Sequence, residues 1–264
     1  MLSSLPAVDL CLWAVTTLLT VILLSLILIW GLERKFPFFT GYLGLNLLQT
    51  ALQFYVYQRY GLNSQVSYVV IWSSQAAVIL VRAMATGEFC HQVLEKFIGI
   101  WALAIRLILV CSGSVLALAL CFGKDGMRYG VMTLEIGMET FVATMVAGPL
   151  VFARYYQVEV ERSAKFLGLG LCLNSCFKIL NDLVLSKYFA VYQNRWNTSN
   201  MSAYVGVLSV WVWAMRTAAA TVPSPAPKLQ PAPIYRRLIP GINERLWELN
   251  DQLIRLWKLE PPKP

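Results

Sequence analysis

Long apolar stretches separated by short polar connections dominate the pattern along this chain. Seven of these stretches are about 20 residues long or longer. A helix of about 20 apolar residues, rising about 1.5 Å per residue, crosses the hydrocarbon core of a bilayer. The pattern therefore predicts an all-α, polytopic membrane protein, a bundle of seven transmembrane helices within residues 1–221. The predicted segments, numbered 1 to 7 in chain order, are 9–31, 38–58, 65–85, 98–122, 129–154, 165–188 and 202–221.

The chain after Thr221 has a different pattern. The stretch "VPSPAPKLQPAP" predicts an extended, proline-rich linker over residues 222–240. Residues 241–264 carry apolar residues at helical spacing together with four acids and four bases, which predicts a cytoplasmic amphipathic helix and tail. A helix that lies on lipid usually has a basic polar face. Because the charges balance here, residues 241–259 are a candidate docking site for a cytoplasmic or membrane protein partner as well as for membrane lipid.

The distribution of basic residues predicts the orientation in the membrane. Connections after segments 1, 3 and 5, together with Arg216 and the tail, carry 15 Lys and Arg residues, and the opposite side carries 5. Cytoplasmic loops of membrane proteins are enriched in Lys and Arg. We therefore expect a multi-pass protein of the cell inner (plasma) membrane, with the N-terminus outside and the C-terminus in the cytoplasm.

Composition excludes several classes of function. The chain is 58% hydrophobic and 14% charged, whereas soluble domains are about 25% charged. The net charge of +8 is concentrated toward the tail, and no nucleic-acid-binding module is present, so we expect no nucleic-acid partner. Cys172 and Cys176 lie one helical turn apart, but no further Cys or His completes a metal site. His91 is the single histidine and no nucleophile accompanies it, so we expect neither enzymatic activity nor a cofactor.

Polar residues inside segment 6 carry the main functional signal. Asn174, Lys178, Asn181 and Asp182 fall within about 100° of helical arc and so share one face. A charged side chain exposed to lipid at the bilayer centre costs about 2.5–3.5 kcal/mol on insertion scales. We therefore expect this face to turn toward the interior of the bundle.

Other segments show matching polar positions. Segments 2, 3 and 5 each carry a polar stripe at helical spacing, and segment 4 carries one arginine, whereas segments 1 and 7 have few polar groups. Four inward-facing stripes predict one shared polar space in the bundle. The residues are Tyr42, Asn46, Gln49, Gln53 and Tyr57 in segment 2, Tyr68, Gln75 and Arg82 in segment 3, Glu135 and Glu139 in segment 5, and Arg106 in segment 4.

Depth along the predicted helices indicates which charged residues meet. Counting about 1.5 Å per residue from the helix ends places Glu135 and Lys178 in one layer, and Glu139 and Arg106 in another. The sequence thus predicts two intramembrane ion pairs, Glu135 with Lys178 and Glu139 with Arg106.

The same polar residues are compatible with three roles. They serve as interhelical hydrogen bonds and ion pairs, as the wall of a ligand or ion pocket, or as a proton relay through Glu135, Glu139 and Asp182. The cations Lys178 and Arg106 argue against the relay, because they hold the acids ionised. The residues predicted to line a pocket are Glu135, Glu139, Lys178, Asp182, Asn174, Arg106, Gln75 and Gln49.

A short motif provides the one resemblance to known proteins. The sequence "LERKFPFFTGYLGLNLLQ", residues 32–49, has a basic turn, then Phe-Pro-x-Phe, then an aromatic entry to segment 2. It resembles a set of uncharacterised bacterial seven-helix inner-membrane proteins, and the overall layout is loosely similar to seven-helix sensor modules. The resemblance implies a bacterial inner membrane and supplies no activity.

These observations together predict a non-enzymatic, receptor-like membrane protein. Its polar intramembrane pocket would bind a small molecule or a lipid, and its cytoplasmic helix would dock to a partner. A small transporter that uses the same polar path is one alternative, and such proteins often have helices broken near the midplane. An accessory or structural subunit of a larger membrane complex is another.

Overall fold

A computed structural model describes most of the chain. The described residues are 7–61, 64–95, 97–122, 127–156, 158, 160–220 and 233–257. Within these ranges, residues 7, 118–122, 127–129, 182–197, 218–220 and 233–243 are described by their backbone alone.

All regular secondary structure in the described ranges is helical, which confirms the all-α fold class. Seven α-helices and one short 3₁₀ helix, Leu32–Arg34, account for it. The α-helices are α1 (Ala7–Ile29), α2 (Pro37–Tyr60), α3 (Gln65–Leu94), α4 (Ile98–Phe122), α5 (Met127–Tyr155), α6 (Arg162–Ala220) and α7 (Pro233–Trp257).

Five stretches of these helices are long and apolar enough to cross a membrane. They indicate that the protein is embedded in a membrane. Predicted segments 2 and 7, which fall in α2 and in the later part of α6, are not among them; in segment 2 a stripe of amides and tyrosines lowers the mean hydropathy. The five are Val8–Ile29, Gln65–Leu94, Ile98–Ala117, Gly130–Tyr155 and Arg162–Asn181.

Helix α6 folds back on itself. The indole Nε1 of Trp211 donates a hydrogen bond to the carbonyl oxygen of Leu167 at 3.2 Å, and the rings of Phe166 and Trp213 lie 5.2 Å apart. A straight helix would separate Leu167 from Trp211 by about 66 Å. Residues 162–181, the first arm, and residues 198–217, the second arm, therefore lie antiparallel.

The two arms correspond to predicted segments 6 and 7, but the predicted connection between them is wrong. Residues 189–201 are helical rather than a loop. No proline lies between Pro149 and Pro223, and no glycine lies between Gly170 and Gly206, so the sequence has no strong helix breaker at the reversal. Close contact of the arms depends on Gly170, because an added Cβ there would overlap the indole of Trp211.

Helix α3 is longer than predicted. It continues past residue 85 to Leu94 because one face of its last turns, including Thr86, Phe89 and Val93, is buried in the core. Arg82, which lies three residues before the predicted end of segment 3 and is counted with the connection that follows, therefore lies twelve residues before the end of α3. Without it, the basic count on that side falls from 15 to 14.

The entry to α2 explains the Phe-Pro-x-Phe motif. Pro37 is the first residue of the helix, and Phe36 and Phe39 are fully buried. The carboxylate of Glu88, on α3, accepts hydrogen bonds from the backbone N–H groups of Phe38 at 3.3 Å and Phe39 at 2.9 Å. These two N–H groups have no partner within a helix, so Glu88 caps α2 and fixes it against α3.

Helix α7 packs on the start of α4. It begins at Pro233, eight residues before the predicted start at 241, so the end of the predicted linker 222–240 is helical. Leu246 and Asn250 are buried, and the side-chain oxygen of Asn250 accepts a hydrogen bond from the backbone N–H of Gly99 at 2.9 Å. The remaining helices pack as neighbours, α2 on α3, α3 on α5, and α6 on both α1 and α5.

Candidate functional site

A cluster of four charged residues lies at the centre of the bundle. Glu139 on α5 is fully buried and forms an ion pair with Arg82 on α3, which is 2% exposed. Lys178 on the first arm of α6 lies 2.8 Å from Glu135 Oε1 and 3.5 Å from Glu139 Oε1. The predicted pair of Glu135 with Lys178 is confirmed. Two cations and two carboxylates balance, which lowers the cost of burying them.

The predicted pair of Glu139 with Arg106 is wrong. Arg82 pairs with Glu139 instead, because the extended α3 carries Arg82 into the bundle at that depth. Arg106 lies on the exposed side of α4, where its guanidinium stacks 3.4 Å from the ring centroid of Trp257. Depth gave the right layer for Glu139, but it carries no information on which way a helix is rotated.

A chain of amides extends the charged cluster toward α2. Gln75 on α3 donates from Nε2 to Glu135 Oε1 at 2.9 Å, and Gln49 on α2 donates from Nε2 to Gln75 Oε1 at 2.9 Å. Asn46 on α2 also donates from Nδ2 to the hydroxyl of Tyr204 on the second arm of α6, at 2.9 Å. Hydrogen bonds to a carboxylate are stronger than neutral ones, so this chain orients the Gln75 and Gln49 amides.

A polar, half-open cavity of about 250 Å³ lies beside this network and is lined by residues of α1, α2, α3 and both arms of α6. Four of the predicted pocket residues, Gln49, Gln75, Asn174 and Lys178, line it. The other lining residues are Trp13, Thr16, Thr17, Thr20, Tyr42, Asn46, Leu47, Thr50, Gln53, Val78, Arg82, Asn200, Met201 and Tyr204.

The remaining four predicted residues lie elsewhere. Glu135 and Glu139 contact Lys178 and Arg82 from α5 but are not part of the cavity wall. Arg106 is directed toward α7, away from the cavity. The side chain of Asp182 lies outside the described residues.

Sequence reasoning missed the contribution of α1. The high hydropathy of α1 predicted a helix with few polar groups. The signal available in the sequence was a row of residues at three- and four-residue spacing, Trp13, Thr16, Thr17 and Thr20. The hydroxyls of Thr17 and Thr20 donate to carbonyl oxygens of their own helix, at 2.9 and 2.7 Å. A threonine that bonds its own backbone in this way is tolerated in an apolar helix, and its oxygen still accepts hydrogen bonds.

Two buried donors on the cavity wall have no acceptor among the described residues. They are Nδ2 of Asn174, a side chain that is 3% exposed, and Nε of Arg82. Both carboxylate oxygens of Glu139, which pairs with Arg82, are buried acceptors that also lack a hydrogen bond among the described residues. A buried donor without a partner costs about 1–3 kcal/mol. Within the described ranges no three His, Cys, Asp or Glu residues come together as metal ligands would. The arrangement therefore supplies hydrogen bonds and positive charge to whatever enters the cavity.

No family model, curated protein or solved structure matches this chain.

Proposed function

We propose that this protein is a non-enzymatic, receptor-like membrane protein that binds a small molecule in its intramembrane cavity. The supporting observation is the cavity of about 250 Å³, which is lined by side chains from four helices of an apolar bundle. Binding sites in membrane bundles are commonly enclosed by polar side chains of several helices.

Unsatisfied donors favour a pocket over a purely structural role. Polar residues that only join helices satisfy one another, as Gln49 and Gln75 do. Asn174 Nδ2 and Arg82 Nε do not find partners in the described part of the chain, although both residues border open space. A ligand that accepts hydrogen bonds would remove the cost of these two donors.

The proposed topology has seven crossings. Helices α1 to α5 provide five, and the two antiparallel arms of α6 provide two. The protein would lie in the cell inner membrane, with its N-terminus outside and its C-terminus in the cytoplasm. In this orientation α7 lies on the cytoplasmic side. On α7, Leu249 and Leu256 share one exposed side, and Trp247, which packs beside Phe97, is half exposed on the other side. These residues are the proposed contact with membrane lipid or a protein partner.

A cavity-filling variant tests the proposal. Thr17→Phe places a ring in the cavity, and Thr144→Phe makes the same change on the exposed face of α5, where Thr144 also bonds its own helix. Native mass spectrometry of gently solubilised protein should show a bound small molecule on the wild type and on Thr144→Phe. Thr17→Phe should lose it. Equal retention by all three proteins, or none by the wild type, contradicts the proposal.

The observations favour binding over transport. Transporters with a midplane site often use paired broken helices. Among the described helices, α2, α3 and α4 are continuous and carry no proline beyond Pro37 at the first turn of α2, and α5 continues through Pro149. The alternatives to a binding protein are a small transporter and a subunit of a larger membrane complex.

A further inference from the structure

We propose that the cavity binds a small organic monoanion, a carboxylate held by Arg82, Lys178 and Asn174. This inference rests on the proposed function and adds the chemical class of the ligand.

The cavity wall has an uneven distribution of charge. Arg82 and Lys178 are its two charged residues in the described part of the chain, and no described Asp or Glu borders it. The carboxylates that pair with them, Glu135 and Glu139, approach from α5 on the far side. A molecule inside the cavity is therefore nearer to the cations than to the acids, and the local potential favours negative charge.

Donor capacity remains after the internal pairs have formed. A lysine ammonium has three N–H groups, and Lys178 directs contacts to two carboxylates, Glu135 and Glu139. Arg82 Nε and Asn174 Nδ2 have no acceptor among the described residues. Arg82, Lys178 and Asn174, from α3 and α6, thus border one space, and the two acids that pair with the cations are not part of its wall. A carboxylate has two oxygens with about four lone-pair sites, and charge-assisted bonds are about twice as strong as neutral ones.

Charge and size limit the ligand further. The four charged residues of the cluster balance, so each charge that the ligand brings remains uncompensated within the described cluster. A monoanion therefore costs less than a dianion such as a phosphate monoester. A cavity of about 150 Å³ holds benzene, so the cavity of about 250 Å³ accommodates a single ring with its carboxylate. The rings of Trp13, Tyr42 and Tyr204 supply an apolar wall for that ring.

Three probes of one shape separate charge from size. Benzoate, benzamide and benzylammonium differ mainly in charge. Each is titrated against the full-length protein in detergent at constant ionic strength, and the thermal unfolding midpoint of the protein is measured. Benzoate should raise the midpoint in a saturable manner. Its Kd should be at least about ten-fold lower than that of benzamide, since a charge-assisted bond replaces a neutral one. Benzylammonium should give no shift.

Paired variants keep the test independent of folding. Lys178→Met with Glu135→Gln removes one cation and one acid together, so no buried charge is left unpaired. This double variant should bind benzoate about ten-fold more weakly while its affinity for benzamide is unchanged. The matched control, Lys35→Met with Glu161→Gln, makes the same two changes in an ion pair outside the cavity and should bind like the wild type.

The outcomes distinguish this inference from the proposed function. Benzamide or benzylammonium binding as tightly as benzoate, or no response to benzoate, overturns the anion inference. The proposed function survives that result if Thr17→Phe still removes a bound molecule in native mass spectrometry. Loss of that evidence as well would overturn both.

Discussion

The carboxylate of Glu139 is completely buried, and its neutralisation depends on side chains from two other helices. Arg82 reaches it from α3 and Lys178 from α6, so this residue joins three helices at one point. An ion pair in such an environment is sensitive to the loss of one partner, because the remaining charge is left in a low dielectric.

Replacing Arg82 alone should therefore destabilise the bundle strongly. Arg82→Met leaves Glu139 with Lys178, which Glu135 already engages, and we expect a loss of about 3–5 kcal/mol in the free energy of unfolding. Arg82→Met with Glu139→Gln should recover most of this loss. Unfolding titrations in mixed detergent measure the difference.

Arg106→Met is the matched control for this experiment. It removes an arginine that stacks on Trp257 at the protein surface, and a cation–π contact at an exposed site contributes about 0.5–1 kcal/mol. If Arg82→Met costs no more than Arg106→Met, the buried pair is not a structural element.

A second ion pair, between Lys35 and Glu161, predicts that the stability of the protein depends on pH. Partial burial by itself would raise the pKa of Glu161, but hydrogen bonds from Lys35 and Ser163 outweigh it and hold the pKa below its usual value. A carboxyl with a lowered pKa in the folded state stabilises the protein above its unfolded pKa. That stabilisation is lost as the pH falls through the folded pKa.

We expect the wild type to lose its stability advantage over Glu161→Gln as the pH falls from about 5 to about 3. The difference between their thermal midpoints measures the effect, which is small because both side chains are partly exposed, 39% for Lys35 and 52% for Glu161. A difference that is constant over this range would contradict the assignment.

The charged residues show how much of the site follows from sequence. Glu135 and Lys178 were predictable as a pair, because helix depth is fixed by residue count and both belong to inward polar stripes. Arg82 was in a recognised stripe of segment 3, together with Gln75, but hydropathy ended that segment at residue 85. Arg82 was therefore placed close to the cytoplasmic end, and no partner was predicted for it. Arg106 was predicted at the same depth as Glu139, but it lies on the exposed face of α4. Packing decides helix rotation, and hydropathy does not encode it.

At the scale of elements, the reversal within α6 depends on contacts between its arms. The ring centroids of Phe166 and Trp213 lie 5.2 Å apart. In a straight helix, the 47 residues between these positions would separate them by about 70 Å. Hydropathy identified both arms as segments, and the sequence carries no breaker that marks where they join.

A crosslink tests this reversal. With the native cysteines removed, Phe166→Cys and Trp213→Cys should be joined by a short thiol-reactive bifunctional crosslinker, detected as a band that stays intact after proteolysis between the arms. Leu180→Cys with Trp213→Cys is the control pair and should not crosslink, because antiparallel arms place these positions about 21 Å apart along the helix axis. Crosslinking of the control alone would contradict the antiparallel arrangement.

The docking of α7 on α4 depends on a glycine. A Cβ at Gly99 would lie 2.5 Å from the backbone oxygen of Asn250 and 2.9 Å from Leu253 Cβ. Gly99→Ala should therefore displace α7 and increase hydrogen exchange and proteolysis over residues 244–257. Gly113→Ala, on the same helix, adds a Cβ with nothing within 4 Å and should leave this region protected. Equal protection in both variants would show that α7 is not held at Gly99.

At the scale of the whole molecule, the proposed seven crossings would place the two termini on opposite sides of the membrane. The basic residues after the odd-numbered segments and in the tail predict a cytoplasmic C-terminus. Alkaline phosphatase fused after Pro264 should be inactive in a bacterial host, and a fluorescent protein at the same place should be bright. The opposite result would invert the proposed orientation of the bundle.

The stacking of Arg106 on Trp257 limits where α4 meets lipid. Helix α7 runs beside α4 from Gly99 to Arg106 and carries Asp251 and Arg255 on its outer side. Acyl chains do not accommodate these charges, so on this flank the hydrocarbon starts near Arg106. Residues 107–122 then provide only about 24 Å of apolar length against a core of about 30 Å. The bilayer should be locally thinner around α4, and shorter-chain lipids should gather there in preference to long-chain ones.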